Sequence, residues 1–332
     1  MKILKTVSEL GRLPAGCVLT IGNFDGVHVG HRQNINVARD IAVLENTALA
    51  VMTFEPHPVA ILHPEKAPGV LTPLPLKIRL IEGCCVDYLI VLRDTASLLR
   101  LSPADFVDKF LLKDVRPKAL VEGDDFHFGA GRGGNVETLQ QMAGQNGFDV
   151  VVVPAKLVRL PSGQSIRVSS TTIRYMLQSG HVADAAAMLG RFYRIIGRIV
   201  PGRGKGRQLG FPTLNMQIPR QIIPQQGVYA GYVRLGGSEE DVCRFDRPRP
   251  AVFSIGQATT FADVGRMLIE AHLLDPMAEN PTADWMAMDF VKLIRTQHKF
   301  GSIDDLSAQI ARDCESAGQI LSSTDSLNQY IM

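Results

Sequence analysis

The sequence predicts an α/β protein with a doubly wound parallel sheet, followed by an antiparallel β-barrel that ends in a C-terminal helix. Three features carry this prediction. Up to about residue 190, short apolar runs alternate with helix-length patterns, as in a parallel sheet with helices on both faces. Beyond Gly190, six strand-like segments follow one another between Gly/Pro loops with no long helix among them, the texture of a compact barrel. One amphipathic stretch, from about Ile303 to Leu321, comes last. The change of texture at 186–192 divides the 332 residues into 1–186 and 187–332, each of ordinary domain size.

The elements follow in order. CVLTIG reads as a buried strand and leads into a helix near His31–Asn46. ALAVMTF is the next strand, with a helix near Leu76–Cys84 and the strand VDYLIVL after it. Ser102 and Pro103 open a further helix as N-cap and first helical residue. KALVEG and DVVVVPA are strands with a helix near Val136–Gln145 between them, and two short helices, SSTTIRYMLQSG and HVADAAAMLG, end this half. The barrel candidates are FYRIIGRIV, PTLNMQI, GVYAGYVRL, AVFSIG, MLIEAHLLD and AMDFVKLIR.

Composition excludes several classes of function. The formal net charge is only +2, so bulk attraction to nucleic acid or to a membrane surface is not expected. The distribution says more: between Val150 and Ser238 there are twelve Lys and Arg but a single acid, Asp184, which points to a partner with several negative charges. Cys17, Cys84, Cys85, Cys243 and Cys314 show no CxxC or Cys/His zinc spacing, and their odd number fits a reducing compartment. No apolar run reaches the roughly 18 residues of a membrane helix, and the first residues lack the apolar core of a signal peptide. A cytoplasmic protein is the expectation.

The segment IGNFDGVHVGHR, Ile21 to Arg32, lies between a strand and a helix, at the carboxyl end of a parallel strand where such sheets bind ligands. Gly22, Gly26 and Gly30 let the backbone approach a ligand, and the helix N-terminus offers N–H groups to phosphate. His28 and His31, three apart, can both donate to a leaving pyrophosphate. HxGH at such a turn resembles the nucleotidyltransferase signature, and GNFDGVHxGH its FAD synthetase branch. TFEPHP (Thr53–Pro58), LTPLPLKIRLIE, VEGDDFHFGAGRGGN (Val121–Asn135) and RVSSTTIR (Arg167–Arg174) resemble further segments of that branch in the same order. The resemblance implies an FMN adenylyltransferase in residues 1–186. It assigns Gly22, Asn23, Phe24, Gly30, Asp125, Arg167, Ser169, Ser170 and Thr171 to the nucleotide, and Asp25, Phe54, Pro56, His57 and Pro58 to the flavin. His28, His31 and Arg174 would be catalytic. Capping alone accounts for one hydroxyl of the Ser169–Thr171 run; three hydroxyls between two arginines suit a triphosphate. FMN already carries its nucleophilic phosphate, so this chemistry needs positioning and charge neutralisation, with no protein nucleophile. Arg93 stands where the family commonly has Phe.

GRIVPGRGKGRQLGFPTLNM, Gly197 to Met216, resembles the riboflavin kinase signature, with Leu214 where Ala is usual. Gly202, Lys205, Gly206 and Arg207 belong to a basic glycine loop that lacks the Walker A pattern and is assigned to nucleotide phosphates. Thr213 and Asn215 alternate along a strand and so share a face; their oxygens suit Mg²⁺. GVYAGYV, IEAHLLD and the closing VKLIRTQHKFGSIDDLSAQIARD resemble other family segments, and the resemblance makes Glu270 the catalytic base. A base is needed here because a ribityl hydroxyl must lose its proton. Glu270 and His272 share a strand face. Thr260 and Phe261 are assigned to the flavin. Departures cluster on that side: Ser254 and Thr259 replace Asn and Pro in SIGQATTF, and DPMAENPTADW replaces the usual loop after the glutamate strand. The expected substrates are riboflavin, FMN and Mg·ATP. A monofunctional FMN adenylyltransferase with a decayed kinase half, or a flavin-sensing binding protein, are the alternative readings.

Overall fold

The computed structural model describes residues 1–93, 95–161, 163–202, 204–244, 248–257, 267–275 and 283–324. The chain forms two compact units: Met1–Pro68 with Lys77–Leu157, and Gly69–Leu76 with Val158–Met332.

The first unit is built on a six-stranded sheet in the order β1-β4-β3-β2-β5-β8. Its strands are β1 (Lys2–Leu4), β2 (Val18–Ile21), β3 (Leu49–Phe54), β4 (Tyr88–Leu92), β5 (Ala119–Gly123) and β8 (Asp149–Val153). Every pairing is parallel. β2 and β3 are almost wholly buried, which is why they read as continuous apolar runs. β1 was not anticipated: three residues on the sheet edge, paired with β4 alone, are too short to show a period. Two-residue strands β6 (His127–Phe128) and β7 (Gly134–Asn135) form a separate small ladder.

Helices α1 (Val29–Leu44), α2 (Pro58–Leu62), α3 (Leu74–Glu82), α4 (Ala96–Leu99), α5 (Pro103–Asp105) and α6 (Val136–Asn146) come between the strands. Ser102 caps α5 as expected, its Oγ accepting the Asp105 N–H at 3.1 Å, and the helix runs on as a wide π-type helix over Phe106–Val115. Asn135 caps α6, and Gly147 ends it at φ 73°, a left-handed position that glycine takes without strain. Leu19, Met52, Leu120, Phe110 and Phe128 lie in one core cluster.

Strand order places the site. The chain passes from β2 through β3 to β4 on one side, then returns to lay β5 on the other side of β2. The carboxyl ends of β2 and β5 therefore flank a topological switch point, where sheets of this type leave a crevice.

In the second unit, a short hairpin of β9 (Leu157–Arg159) and β10 (Ser165–Arg167) leads to α7 (Ser170–Gln178) and α8 (Val182–Leu189). Six antiparallel strands then close a barrel in the order β11-β12-β15-β14-β13-β16. They are β11 (Tyr193–Val200), β12 (Leu214–Met216), β13 (Gly227–Gly236), β14 (Arg249–Gln257), β15 (Met267–Leu273) and β16 (Trp285–Arg295), one from each predicted segment. Single-turn helices α9 (Lys205–Gln208) and α10 (Glu239–Val242) interrupt the loops, and α11 (Ile303–Thr324) ends the described chain.

Aromatic rings fill the barrel: Phe253 meets Phe290 edge-to-face at 5.1 Å and Tyr229 meets Phe290 at 5.2 Å. Gly231 is required there, because a Cβ would stand 2.2 Å from the Asp289 carbonyl. Asp289, buried, takes a two-point bond from Arg194 at 2.6 and 2.8 Å and is paired with Arg234 as well, so its charge is compensated. α11 covers the outside of β13 and β14 through Ala317 and Leu321 against Val228 and Val252.

Candidate active sites

The β2–α1 turn is tightly specified. Phe24 (φ 45°), Gly26 (φ 93°) and Val27 (φ 40°) all take left-handed backbone. For Phe and a β-branched Val this is strained, and such strain gathers where a loop must hold a ligand-binding shape. His28 caps α1, its Nδ1 accepting the His31 N–H at 3.1 Å. The two imidazoles stack with centroids 3.5 Å apart and planes 14° from parallel, and Phe24 meets His31 edge-on at 5.2 Å. A side chain at Gly30 would press on the His28 ring at 3.3 Å, and one at Gly22 on the Phe24 ring at 3.2 Å. Gly22, Asn23, Phe24, Asp25, His28, Gly30 and His31 are thus brought onto one turn, with Asp25 and His28 buried.

β3 and α3 hold this turn in place. The Asn23 carbonyl accepts from Thr53 Oγ1 at 3.0 Å and from Lys77 Nζ at 3.1 Å, while the buried Asn23 Oδ1 accepts from no described residue. Burial lowers the Lys77 ammonium below its ordinary pKa against the pull of Glu55, 3.7 Å away. Phe54 ends β3, Pro56 follows a cis peptide bond, and His57 caps α2 at Pro58 by accepting the Val59 N–H at 3.1 Å. Across the switch point, β2 pairs with β5 only at Val18 and Leu19. The Ile21 N–H goes instead to the buried Glu122 carboxyl at 2.8 Å. Burial raises the Glu122 pKa well above its ordinary range, with the Ile21 bond opposing. At the end of β5, Asp125 Oδ1 would stand 3.1 Å, and Asn34 Nδ2 3.5 Å, from a Cβ on Gly123.

The segment 167–174 belongs to the second unit. Ser169 caps α7: its Oγ accepts the Thr172 N–H at 3.1 Å and bonds the Thr172 hydroxyl at 2.8 Å. Capping therefore occupies that hydroxyl, while Ser170 and Thr171 stand on the first turn. Arg174 Nε donates to the Gly69 carbonyl at 2.7 Å, and Arg167 ends β10.

A cavity of about 760 Å³ lies against the outer face of the barrel, between its strands and Leu306, Ile310 and Asp313 of α11, and is lined also by Gly202, Gly206, Thr213, Asn215, Ser254, Glu270 and His272. Asn215 pairs across strands with Glu270, and Glu270 with Ser254, so one row crosses β12, β15 and β14. Thr213 Oγ1 donates to Glu270 Oε1 at 3.4 Å. His272 Nδ1 lies 2.8 Å from the Pro212 carbonyl. The glycine loop lies hard against this row: a Cβ on Gly202 would stand 2.1 Å from Asn215 Nδ2, and one on Gly206 2.4 Å from the Phe211 carbonyl. Arg207 and the backbone of Lys205 sit on α9; the Lys205 side chain, Thr259, Thr260, Phe261 and residues 276–282 lie outside the described residues.

Comparison with known proteins gives these two sites a common frame. A family profile described as FAD synthetase matches residues 11–172, and one described as riboflavin kinase matches residues 189–321. The chain is 39% identical over 314 residues to the bifunctional riboflavin kinase/FMN adenylyltransferase of Escherichia coli K12, covering 94% of this chain and 96% of that one. The chain belongs to the bifunctional riboflavin kinase/FMN adenylyltransferase family. Its relative of the same description from Haemophilus influenzae is 35% identical over 96% of this chain and 98% of its own. A solved structure described as a macrolide-efflux protein from Streptococcus pneumoniae matches with a TM-score of 0.80 at 26% identity, covering 95% of this chain and 97% of that one. Among the described residues, no helix is long and apolar enough to cross a membrane.

For a chain of this family, motif reading passed over three residues beside the sites. Lys77 lies within the LTPLPLKIRLIE segment, but its bond to the Asn23 carbonyl spans 54 positions and needs the fold. Glu122 interrupts an apolar strand, a signal that could have marked it as unusual, yet its partner lies 101 residues away. Gln297 follows β16 and reaches back to β14 across 43 positions.

Proposed function

We propose that this chain makes FMN and then FAD: the barrel, within 187–332, phosphorylates riboflavin, and the sheet domain, within 1–186, adenylylates FMN. The observation that carries the kinase reading is the row Asn215–Glu270–Ser254 beside the glycine loop, with a hydroxyl already donating to Glu270. A flavin sensor has no use for a carboxylate there, and a decayed kinase has no reason to keep it.

Glu270 takes the proton of the ribityl 5′-hydroxyl as its oxygen bonds to the γ-phosphorus of ATP and ADP leaves. Gly202, Gly206, Arg207 and Lys205 hold the nucleotide phosphates. Thr213 and Asn215 would hold Mg²⁺ through their hydroxyl and amide oxygens; the metal, when bound, neutralises phosphate charge. The donor set fits a hard cation that prefers oxygen and shares its coordination with substrate phosphates. Thr260 and Phe261 are proposed for the flavin.

In the adenylyl transfer a phosphate oxygen of FMN bonds to the α-phosphorus of ATP and pyrophosphate leaves. No proton has to be removed from the nucleophile. His28 and His31 stabilise the leaving pyrophosphate from the start of α1, and Gly22, Asn23, Phe24, Gly30 and Asp125 bind the nucleotide. Asp25, Phe54, Pro56, His57 and Pro58 are proposed for the flavin. The Arg167, Ser169, Ser170, Thr171 and Arg174 segment is proposed to bind nucleotide phosphate, with Ser169 acting through its cap. The cytoplasm, which supplies ATP, is the proposed location. Incubation with riboflavin and Mg·ATP, with flavins separated over time, tests the reading: FMN should appear first and FAD at its expense. FAD formed from added FMN, with no product from riboflavin, would leave a monofunctional adenylyltransferase.

A further inference from the structure

Gln297 lines the cavity on the outer face of the barrel, just past the end of β16. Its Nε2 donates to Ser254 Oγ at 3.0 Å and to the Ile255 carbonyl at 3.3 Å. A carbonyl can only accept, so the orientation of the amide is set: both N–H groups face β14 and Oε1 is turned away. That oxygen accepts from no described residue. The amide lies against Gly256, where a Cβ would stand 3.1 Å from Nε2. Gln297, a lining residue of the cavity, thus has both amide N–H groups spent on β14 and an acceptor oxygen that meets no described donor.

Its position relative to the candidate base follows from the strand register. Ser254 is directly opposite Glu270, and side chains so placed have Cβ atoms about 4.5–5.5 Å apart. The amide stands one strand over from the carboxylate. A polyol chain with its terminal hydroxyl at Glu270 is long enough to bring inner hydroxyls beside Gln297, and a hydroxyl is the donor that such an acceptor needs.

We propose that Gln297 is a specificity-determining residue of the kinase, its Oε1 accepting a hydrogen bond from an inner hydroxyl of the ribityl chain. This rests on the reading of the barrel as a riboflavin kinase. Ser254, the residue that departs from the usual family Asn, is then the anchor that aims the amide.

The test is steady-state formation of FMN plus FAD from riboflavin by the full-length protein. Lumiflavin, which carries the same ring system with a methyl group in place of the ribityl chain, serves as the competing ligand. Gln297→Leu should raise the KM for riboflavin by about 3- to 10-fold, the worth of one neutral hydrogen bond. The kcat, the KM for ATP and the inhibition constant of lumiflavin should stay unchanged. Gly256→Ala, which displaces the amide without removing it, should raise the same KM by a smaller factor; it also decides the matter if the Leu variant fails to fold. An unchanged riboflavin KM would overturn the assignment. Equal weakening of lumiflavin would also overturn it, because the ring would then be what the amide reads. Wild-type protein that forms no product from riboflavin would overturn the kinase reading itself, and the assignment with it.

Discussion

The β2–α1 turn and the glycine loop beside β12 are both proposed to meet phosphate, yet they differ in the side chains set beside them. The turn presents two stacked imidazoles at a helix N-terminus, held by a strained backbone. The barrel presents a carboxylate on a strand, with a hydroxyl bonded to it and an amide beside it. The difference tracks one proton: FMN arrives with its nucleophilic oxygen already charged, whereas the ribityl hydroxyl must be deprotonated as it attacks. Two phosphoryl-group chemistries on one chain therefore call for different residues, and removal of either proposed set should leave the other activity in place.

The largest effect should come from Glu270, the proposed base. Glu270→Gln keeps the shape and removes the proton acceptor, so FMN formation from riboflavin should fall by about 10²–10⁴. FAD formation from added FMN should be unchanged, measured with the same protein. Next come the imidazoles: His28→Ala or His31→Ala should lower FAD formation by about 10²–10³, with riboflavin phosphorylation intact. Loss of the His28 cap on α1 should also cost about 1 kcal/mol of stability, visible in a urea titration. Smaller again is Gly202→Ala. Its methyl group would collide with the Asn215 amide at 2.1 Å, and such a displacement of a positioning group should slow FMN formation about 10- to 100-fold while FAD formation holds.

The smallest effect separates stability from chemistry. Burial raises the Glu122 carboxyl pKa well above its ordinary value of 4.5, so the folded chain keeps a proton there that the unfolded chain has released. The associated stability is fully present below 4.5 and is lost as pH rises toward the raised folded value. Glu122→Gln keeps the bond to the Ile21 N–H and cannot ionise. Its urea midpoint should therefore gain on that of the wild type as pH rises from 4.5, and the two should converge at lower pH. A constant difference across pH would mean that Glu122 does not titrate on folding.

Much of this comparison was legible in the sequence, for reasons that differ between the two sites. The HxGH turn could be placed because an apolar strand, three glycines and a helix start occur within fourteen consecutive positions, Val18 to His31. The shared face of Thr213 and Asn215 followed from strand alternation, and the structure sets both at the cavity. The pairing of Asn215 with Glu270 and of Glu270 with Ser254 is a matter of register between distant strands, which no local pattern encodes. The same holds for the bond from Ile21 to Glu122 and from Gln297 to Ser254. The strand β1 escaped because three edge residues carry no periodicity. Ser169 was legible as one of three hydroxyls at a helix start; that it is the one spent on capping needed coordinates.

One measurement bears on the separation of the two chemistries most directly. Glu270→Gln and His31→Ala proteins, each confirmed to be folded, are given riboflavin and Mg·ATP, first apart and then mixed. The Glu270→Gln protein should form neither FMN nor FAD, and the His31→Ala protein should accumulate FMN with little FAD. The mixture should form FAD, because FMN released by one protein is adenylylated by the other. FAD formed from riboflavin at the wild-type rate by either variant alone, or a mixture that forms none, would contradict the account.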